Sequence, residues 1–270
     1  MKHFHEWPLV LFSAFAMAGA GILAAWPLSE ATGIAGGTRM NAGVATALLA
    51  AAMAMSIAHL GRWHRFPLAL GRSGRSPLST EVLAAAVTLA SALPLAFGIG
   101  AVAPAWWSGL VAAVSCLFLV SLGLVYRLPA SMSWTGLVPI GPLVSGLLFG
   151  VLWRLSAVDA WGLRFTWPAL LLVAVDAAVL AARARRVLHA AGRPAHPAIH
   201  ASRHQLLAAR FLLLDGGIVL FLQRGSPEAA LFAAALGLLL DRYAFYGLAA
   251  TRTIESEIDA VEAVLADKSK

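Results

Sequence analysis

The chain has 270 residues, of which 60% are hydrophobic and only 12% are charged, and its mean hydropathy is +0.80. Soluble domains carry about 25% charged residues, so this composition excludes an ordinary soluble protein and requires lipid as a solvent. The formal charge of +7 does not indicate a partner nucleic acid, because the basic residues lie in short loops between apolar runs.

Two further classes are excluded by simple patterns. The sequence lacks the short alternating segments that build a transmembrane β-barrel. Its single cysteine, Cys116, lies inside an apolar run, so an intrachain disulfide and a cysteine-ligated iron–sulfur cluster within this chain are both excluded. The predicted fold class is therefore all-α, a polytopic helical bundle in the membrane.

Eight apolar runs are long enough to span a bilayer, which takes about 20 helical residues. In chain order they are Trp7–Ala25, Met40–Leu60, Thr80–Ala101, Ala105–Tyr126, Gly136–Trp153, Phe165–Ala182, Gln205–Leu222 and Glu228–Ala249. The first run resembles a signal peptide, but further apolar runs follow it, so we interpret it as a retained span. The very short turn between the third and fourth runs predicts an antiparallel hairpin. Residues 1–250 thus form the membrane domain, and residues 251–270 form a polar tail.

The basic residues predict the orientation. With eight spans, both termini and the loops after spans two, four and six lie on one side of the membrane. That side carries 15 of the 20 Lys and Arg residues, the other side carries four, and Arg210 lies within a span. Positive charge is retained in the cytoplasm, so the sequence predicts cytoplasmic termini in a bacterial inner membrane protein.

The stretch "SIAHLGRW", residues 56–63, places an imidazole where the second span ends. His59 and Arg62 close this span, and Glu81 follows a loop rich in Gly, Pro and Arg. Ionisable groups at such positions are candidates for function. An imidazole can hydrogen-bond a quinone oxygen and pass a proton near neutral pH, and a carboxylate can relay that proton to water. The alternatives are an interfacial histidine with a satisfied hydrogen bond, and a helix capped by Ser79 or Thr80 with Glu81 in its first turn.

Five short motifs resemble a known family. They are "HEWPL" at residues 5–9, "HLG" at 59–61, "LSTE" at 78–81, "VYRLPASMSW" at 125–134 and "RYAFYG" at 242–247. In this order they resemble the membrane anchor subunit of dimethyl sulfoxide reductase, and the resemblance covers essentially the whole chain. Its most specific parts are "HEWPL" and the 22-residue step from His59 to Glu81.

The resemblance implies an eight-span anchor that binds a quinone, ubiquinone or menaquinone, without haem. It implies two partner subunits, a ferredoxin-like subunit with four iron–sulfur clusters and a molybdopterin catalytic subunit. The family's quinol-binding histidine and glutamate carry over to His59 and Glu81. The implied reaction is the two-electron, two-proton conversion between quinone and quinol, with electrons exchanged through the partner's clusters.

The predicted orientation departs from the best-known family member, in which the catalytic subunits are exported. Here the charge count places His59 on the cytoplasmic side, and a quinone site and its electron donor must lie close together. This favours resemblance to the anchors of cytoplasm-facing sulfite dehydrogenases, which reduce quinone with electrons from sulfite. The alternative within the family is the anchor of a reductase for S- or N-oxides, which oxidises quinol.

Other polar residues are weaker candidates. Tyr126 and Arg242 end the fourth and eighth spans on the predicted cytoplasmic side, and we add them to Arg62 as possible quinone contacts, with Asp241 as a local partner of Arg242. His5 and Glu6 precede the first span, where either a site role or simple interfacial packing is consistent with "HEWPL".

Two aspartates lie well inside spans. Asp176 and Asp215 are costly in lipid and must face the bundle interior, and Arg210 lies five residues before Asp215 in the same span. They serve either in interhelical hydrogen bonds or a buried pair or, together with Glu81, as steps of a proton path. A membrane transporter that uses these groups is the hypothesis from a different class.

The remaining histidines do not predict a metal centre. Prolines interrupt the series formed by His189, His196, His200 and His204, and no carboxylate or cysteine is interleaved, so we interpret it as part of a solvated basic loop. Haem b would need two histidines on facing spans. A cytochrome b type of anchor is therefore the least favoured alternative.

Overall fold

A computed structural model describes residues 7–27, 38–59, 77–98, 105–125, 138–156, 163–189, 193–194, 201–248 and 250–251. These residues form eight helices, α1 Trp7–Ala24, α2 Thr38–His59, α3 Pro77–Ala96, α4 Ala105–Leu124, α5 Ile140–Ser156, α6 Leu163–His189, α7 Arg203–Gln223 and α8 Pro227–Gly247. Two short strands, β1 Arg193–Pro194 and β2 Ala250–Thr251, form one antiparallel pair.

Seven of the helices in the described ranges are long and apolar enough to cross a membrane. The helix α5 is also apolar, but it has 17 residues and is the shortest of the eight. The predicted all-α fold class is confirmed, and seven helices have the length and composition of membrane spans, while the count of eight spans and the cytoplasmic termini stay predictions.

The helices α1 and α5 form the centre of the bundle. The helix α1 packs on α2, α4, α5 and α8, and α5 packs on α1, α4, α6 and α8. Most of their residues are buried, whereas the outer helices expose large apolar side chains such as Leu83, Trp167 and Phe232. Exposed apolar side chains on long apolar helices are the expected surface toward lipid.

Glycines allow α1 and α5 to approach each other closely. A Cβ atom built on Gly150 would overlap the backbone of Gly21, and one built on Gly21 would overlap the backbone of Gly146. Gly146 and Gly150 are four residues apart on α5, which is the spacing that brings two membrane helices together along small residues.

The structure corrects both predicted ends of α3. The helix α3 begins at Pro77, so Ser79 and Thr80 lie within the first turn rather than at the cap, and Glu81 lies one turn inside the helix. The hypothesis of a helix cap with Glu81 in the first turn is therefore wrong. The same helix ends at Ala96 and not at Ala101, after Pro94 and before Gly98, whose φ of 70° is a conformation typical of residues that end helices.

A further correction concerns α6, which continues seven residues beyond the predicted end at Ala182. Arg183, which the sequence placed in a basic loop, therefore lies in a helix whose membrane-spanning part is Thr166–Arg185. Its side chain reaches across to α8, as described below. The predicted tail overlaps β2 only at Thr251, and the rest of it lies outside the described residues.

Candidate functional site

The described helices bury polar side chains at two separate places. One place is Glu81 in α3, and the other is a cluster of arginines and aspartates on α6, α7 and α8. In the described part of the chain, α3 packs on α2 and α4, and no extensive packing joins it to α6, α7 or α8. The two places therefore belong to different parts of the bundle.

The side chain of Glu81 is 3% exposed. Its Oε1 atom has no hydrogen-bond partner among the described residues. A buried carboxyl oxygen without a donor costs about 1–3 kcal/mol, so such an atom calls for a ligand, a water molecule or a further protein group. Consecutive spans are antiparallel, so the start of α3 lies at the same end of the bundle as the end of α2, where His59 is located.

Arg210 is the centre of the second place, which we call the Arg210 cluster. Its Nη1 atom donates to Asp215 Oδ2 at 2.7 Å and its Nε atom donates to Asp241 Oδ1 at 3.2 Å. Its Nη2 atom forms an ion pair with Asp176 Oδ2. A single guanidinium group thus contacts aspartates from three helices, and all four side chains are at most 3% exposed.

Asp241 and Asp176 accept further hydrogen bonds from side chains around Arg210. Asp241 also accepts from Arg183 Nη1 at 3.3 Å and from Arg242 Nε at 2.9 Å. Ser145 of α5 donates its hydroxyl hydrogen to Asp176 Oδ1, with the oxygens 2.6 Å apart. Three arginines face three aspartates, so the cluster is neutral when every group is charged, and burial of the charges is compensated.

An irregular stretch of α7 makes the Arg210–Asp215 pair possible. In an α-helix, residues five apart point in directions that differ by about 140°, because one turn holds 3.6 residues. Residues Phe211–Gly217 instead form a π-helix, whose hydrogen bonds link residues five apart. This wider turn brings Asp215 back to the side of Arg210. Single π-helical turns occur frequently at functional sites.

The cluster lies toward the end of the bundle at which α6 and α8 end and α7 begins. Arg183 and Asp241 are nearest to that end, and Asp176 and Asp215 lie deeper. Arg183 is 15% exposed at its side chain, and the aromatic ring of Phe245 lies under the guanidinium groups of both Arg183 and Arg242. By the predicted topology, this is also the end that carries His59 and Glu81.

The structure brings together three of the residues predicted for the site. Asp176, Asp215 and Arg242 belong to the Arg210 cluster, and both predicted pairs, Arg210–Asp215 and Arg242–Asp241, are confirmed. Glu81 lies apart from them. The helix α2 ends at His59, whose side chain is not described, and Arg62 and Tyr126 lie outside the described residues, as do His5 and Glu6.

Two members of the cluster, Arg183 and Ser145, were not predicted from the sequence. A signal for Arg183 was present, because it follows Asp176 by seven residues and therefore lies on the same face of a helix. Ser145 gave no signal, since a serine in an apolar helix is common. Among the histidines of the basic loop, His204 is exposed at the start of α7, while His196 and His200 fall outside the described ranges.

The described residues contain no group of three or more His, Cys, Asp or Glu side chains that could hold a metal ion. No protein-family model matches the chain, and no curated protein matches it either. The geometry of Glu81 and of the Arg210 cluster is therefore the basis for a functional proposal.

Proposed function

We propose that the chain is a quinone-binding membrane subunit that anchors a molybdopterin and iron–sulfur oxidoreductase. The observation that carries the proposal is the buried Oε1 atom of Glu81, which lacks a hydrogen-bond partner among the described residues. The order of sequence motifs that resemble the anchor of dimethyl sulfoxide reductase supports the same conclusion.

Quinone chemistry fits a carboxyl group in this position. Conversion of quinone to quinol takes up two electrons and two protons, and quinol oxidation releases them. In the proposal, Glu81 and His59 hydrogen-bond the head group and move the protons, and the partner's iron–sulfur clusters exchange the electrons. Leu78, which precedes Glu81 by three residues and therefore lies on a neighbouring face of α3, is exposed, which is consistent with an approach of the ligand from the lipid phase.

The proposal includes a cytoplasmic location for the partner subunits, because the basic residues favour the His59 side. The favoured partner is accordingly a sulfite-oxidising catalytic subunit that delivers electrons to quinone. The anchor of an S- or N-oxide reductase is the alternative. Purification of the tagged chain from native membranes distinguishes them, since the favoured complex reduces decylubiquinone with sulfite and the alternative oxidises a quinol with dimethyl sulfoxide.

The first test measures binding of decylubiquinone to the purified chain through quenching of tryptophan fluorescence. We expect Glu81→Gln to weaken binding about ten- to hundredfold, because a hydrogen bond to a charged group contributes roughly 1.5–3 kcal/mol. In the complete complex, Glu81→Gln and His59→Ala should leave assembly intact and abolish turnover with quinone.

The matched control is Glu228→Gln, which changes an exposed glutamate in the first turn of α8 in the same way. It should bind and turn over quinone like the parent chain. Normal turnover with quinone in both Glu81→Gln and His59→Ala would remove these residues from the site.

A second candidate function is transport, which the buried charges of the Arg210 cluster favour, because ionisable groups inside membrane proteins mark ion and substrate paths. Metal analysis of the chain purified in mild detergent separates the two candidates. Stoichiometric iron and molybdenum support the anchor, whereas a metal-free assembly of this chain alone supports the transporter.

A further inference from the structure

Two aspartates of the Arg210 cluster face each other across one guanidinium group. Asp176 contacts Nη2 of Arg210 and Asp215 contacts Nη1 of the same guanidinium group. They come from different helices, α6 and α7, and both are 1–2% exposed. We call Asp176 and Asp215 the aspartate pair.

Asp215 Oδ1 has no hydrogen-bond partner among the described residues. Asp176 Oδ2 is held by Arg210 Nη2 in an ion pair. Two buried carboxylates that share one cation also repel each other. A single proton held by one carboxyl group and donated to the other would supply the missing hydrogen bond and remove the repulsion.

Asp241 differs from the pair. Its two oxygens accept hydrogen bonds from Arg183, Arg210 and Arg242. This carboxylate is surrounded by cationic donors and has no need of a proton.

A metal cation would not satisfy the same oxygens. Arg210 contacts both carboxylates and, together with Arg183 and Arg242 on the neighbouring Asp241, repels a cation that stays charged. A proton differs because it forms a covalent O–H bond and converts a carboxylate into a neutral acid.

We propose that the aspartate pair is a proton-binding site that is loaded from the Arg183 end of the cluster. The proton comes from bulk water at the partly exposed Arg183 and adds to an oxygen of Asp176 or Asp215. The charge of the cluster then changes from zero to +1. The groups that face the bound proton are Ser145 from α5, Arg183 from α6, Arg210 from α7, and Asp241 and Arg242 from α8.

The π-helix determines where Asp215 lies in this site. Asp215 reaches Arg210, and through it Asp176, because Phe211–Gly217 has the wider turn. Proton binding at the pair is independent of whether Glu81 binds a quinone, so the two proposals can fail separately.

The test is infrared difference spectroscopy of the full chain in phosphatidylethanolamine–phosphatidylglycerol vesicles, recorded as the pH is lowered and without quinone. We expect a carbonyl band of a protonated carboxyl group that shifts when the chain contains isotope-labelled aspartate. Asp215→Asn and Asp176→Asn should each remove this band, because each deletes one half of the pair.

Glu228→Gln and Glu81→Gln are the controls, and both should keep the aspartate band. A band that ignores aspartate labelling, or one that survives in either Asp215→Asn or Asp176→Asn, would overturn the shared-proton site. The absence of a labelled aspartate band in the parent chain would overturn the site even if an asparagine variant does not fold.

Discussion

Arg210 is the common partner of three buried aspartates in the C-terminal half of the bundle. It is 2% exposed and contacts Asp176, Asp215 and Asp241 on three helices. Removing one partner from a buried ionic network leaves uncompensated charge, which costs about 3–5 kcal/mol. Arg210 should therefore be sensitive to substitution even though it touches no ligand in the described structure.

We expect Arg210→Met to lower the free energy of unfolding in detergent by about 3–5 kcal/mol, measured by thermal or denaturant unfolding. Arg224→Met, which changes an exposed arginine in the turn between α7 and α8, should have almost no effect. Adding Asp215→Asn to Arg210→Met should restore part of the loss, since it removes one of the stranded charges. Equal stability of the two arginine variants would contradict the central role of Arg210.

Some of these residue-scale contacts could be predicted from the sequence. Asp176, Asp215 and Arg210 were identifiable because charged groups inside apolar runs are costly and must meet partners. The contact of both aspartates with this one arginine could not be predicted, since it depends on which faces of α6, α7 and α8 meet. The predicted roles of His59 and Glu81 rest on chain order, and the structure adds to them the burial of Glu81.

At the scale of helices, small residues determine where the two central helices touch. Gly21 of α1 meets Gly146 and Gly150 of α5 at backbone distance, so a side chain at Gly21 or Gly150 would force the helices apart. In contrast, a Cβ atom added at Gly43 of α2 would meet no atom within 4 Å. The same substitution should therefore have opposite consequences at the two kinds of site.

Gly150→Ala should destabilise the protein, because its Cβ atom cannot be accommodated without separating α1 from α5. Gly43→Ala should be neutral or stabilising by up to about 1 kcal/mol, because alanine has the higher helix propensity. Thermal unfolding of both variants in the same detergent makes the comparison. A tolerated Gly150→Ala would show that the central helices have room to move apart.

Helix positions were largely predictable from hydropathy, but the π-helix was not. The run "RFLLLDGG" in α7 is apolar and continuous, and nothing in it distinguishes a π-helix from an α-helix. The extra width depends on the attraction of Asp215 to Arg210 and on packing against α8, where Gly237 leaves space for Leu214. The continuation of α6 beyond Ala182 was also not predicted, because the arginines that follow resemble a loop in the sequence. The pairing of Arg183 with Asp241 is visible only in the structure.

For the whole molecule, the strand pair supports one aspect of the topology. The strand β1 lies between α6 and α7 and pairs with β2, which follows α8. The connection from α6 to α7 and the end of α8 therefore lie at the same end of the bundle. This agrees with the predicted placement of the loop after span six beside the C-terminus. Without the arginines that lie within the described helices, the basic residues still number 10 on that side against one on the other.

Cysteine labelling tests the orientation, and the chain suits it because Cys116 is its single cysteine. In a Cys116→Ser background, a cysteine at Arg72 should react with an impermeant maleimide only in inverted vesicles, because the predicted side is cytoplasmic. A cysteine at Arg224 should react from the outside of intact cells. The opposite pattern would move Glu81 and the proposed partner subunits to the exported side.

The short length of α5 affects how the protein accommodates bilayers of different thickness. At 17 residues it is about 25 Å long, which is shorter than a typical hydrocarbon layer of about 30 Å. Because α1, α4, α6 and α8 pack around it, protein rather than acyl chains meets most of its surface. Hydrophobic mismatch therefore acts on the longer outer helices, and thinning or thickening the bilayer should tilt those helices while α5 keeps its contacts.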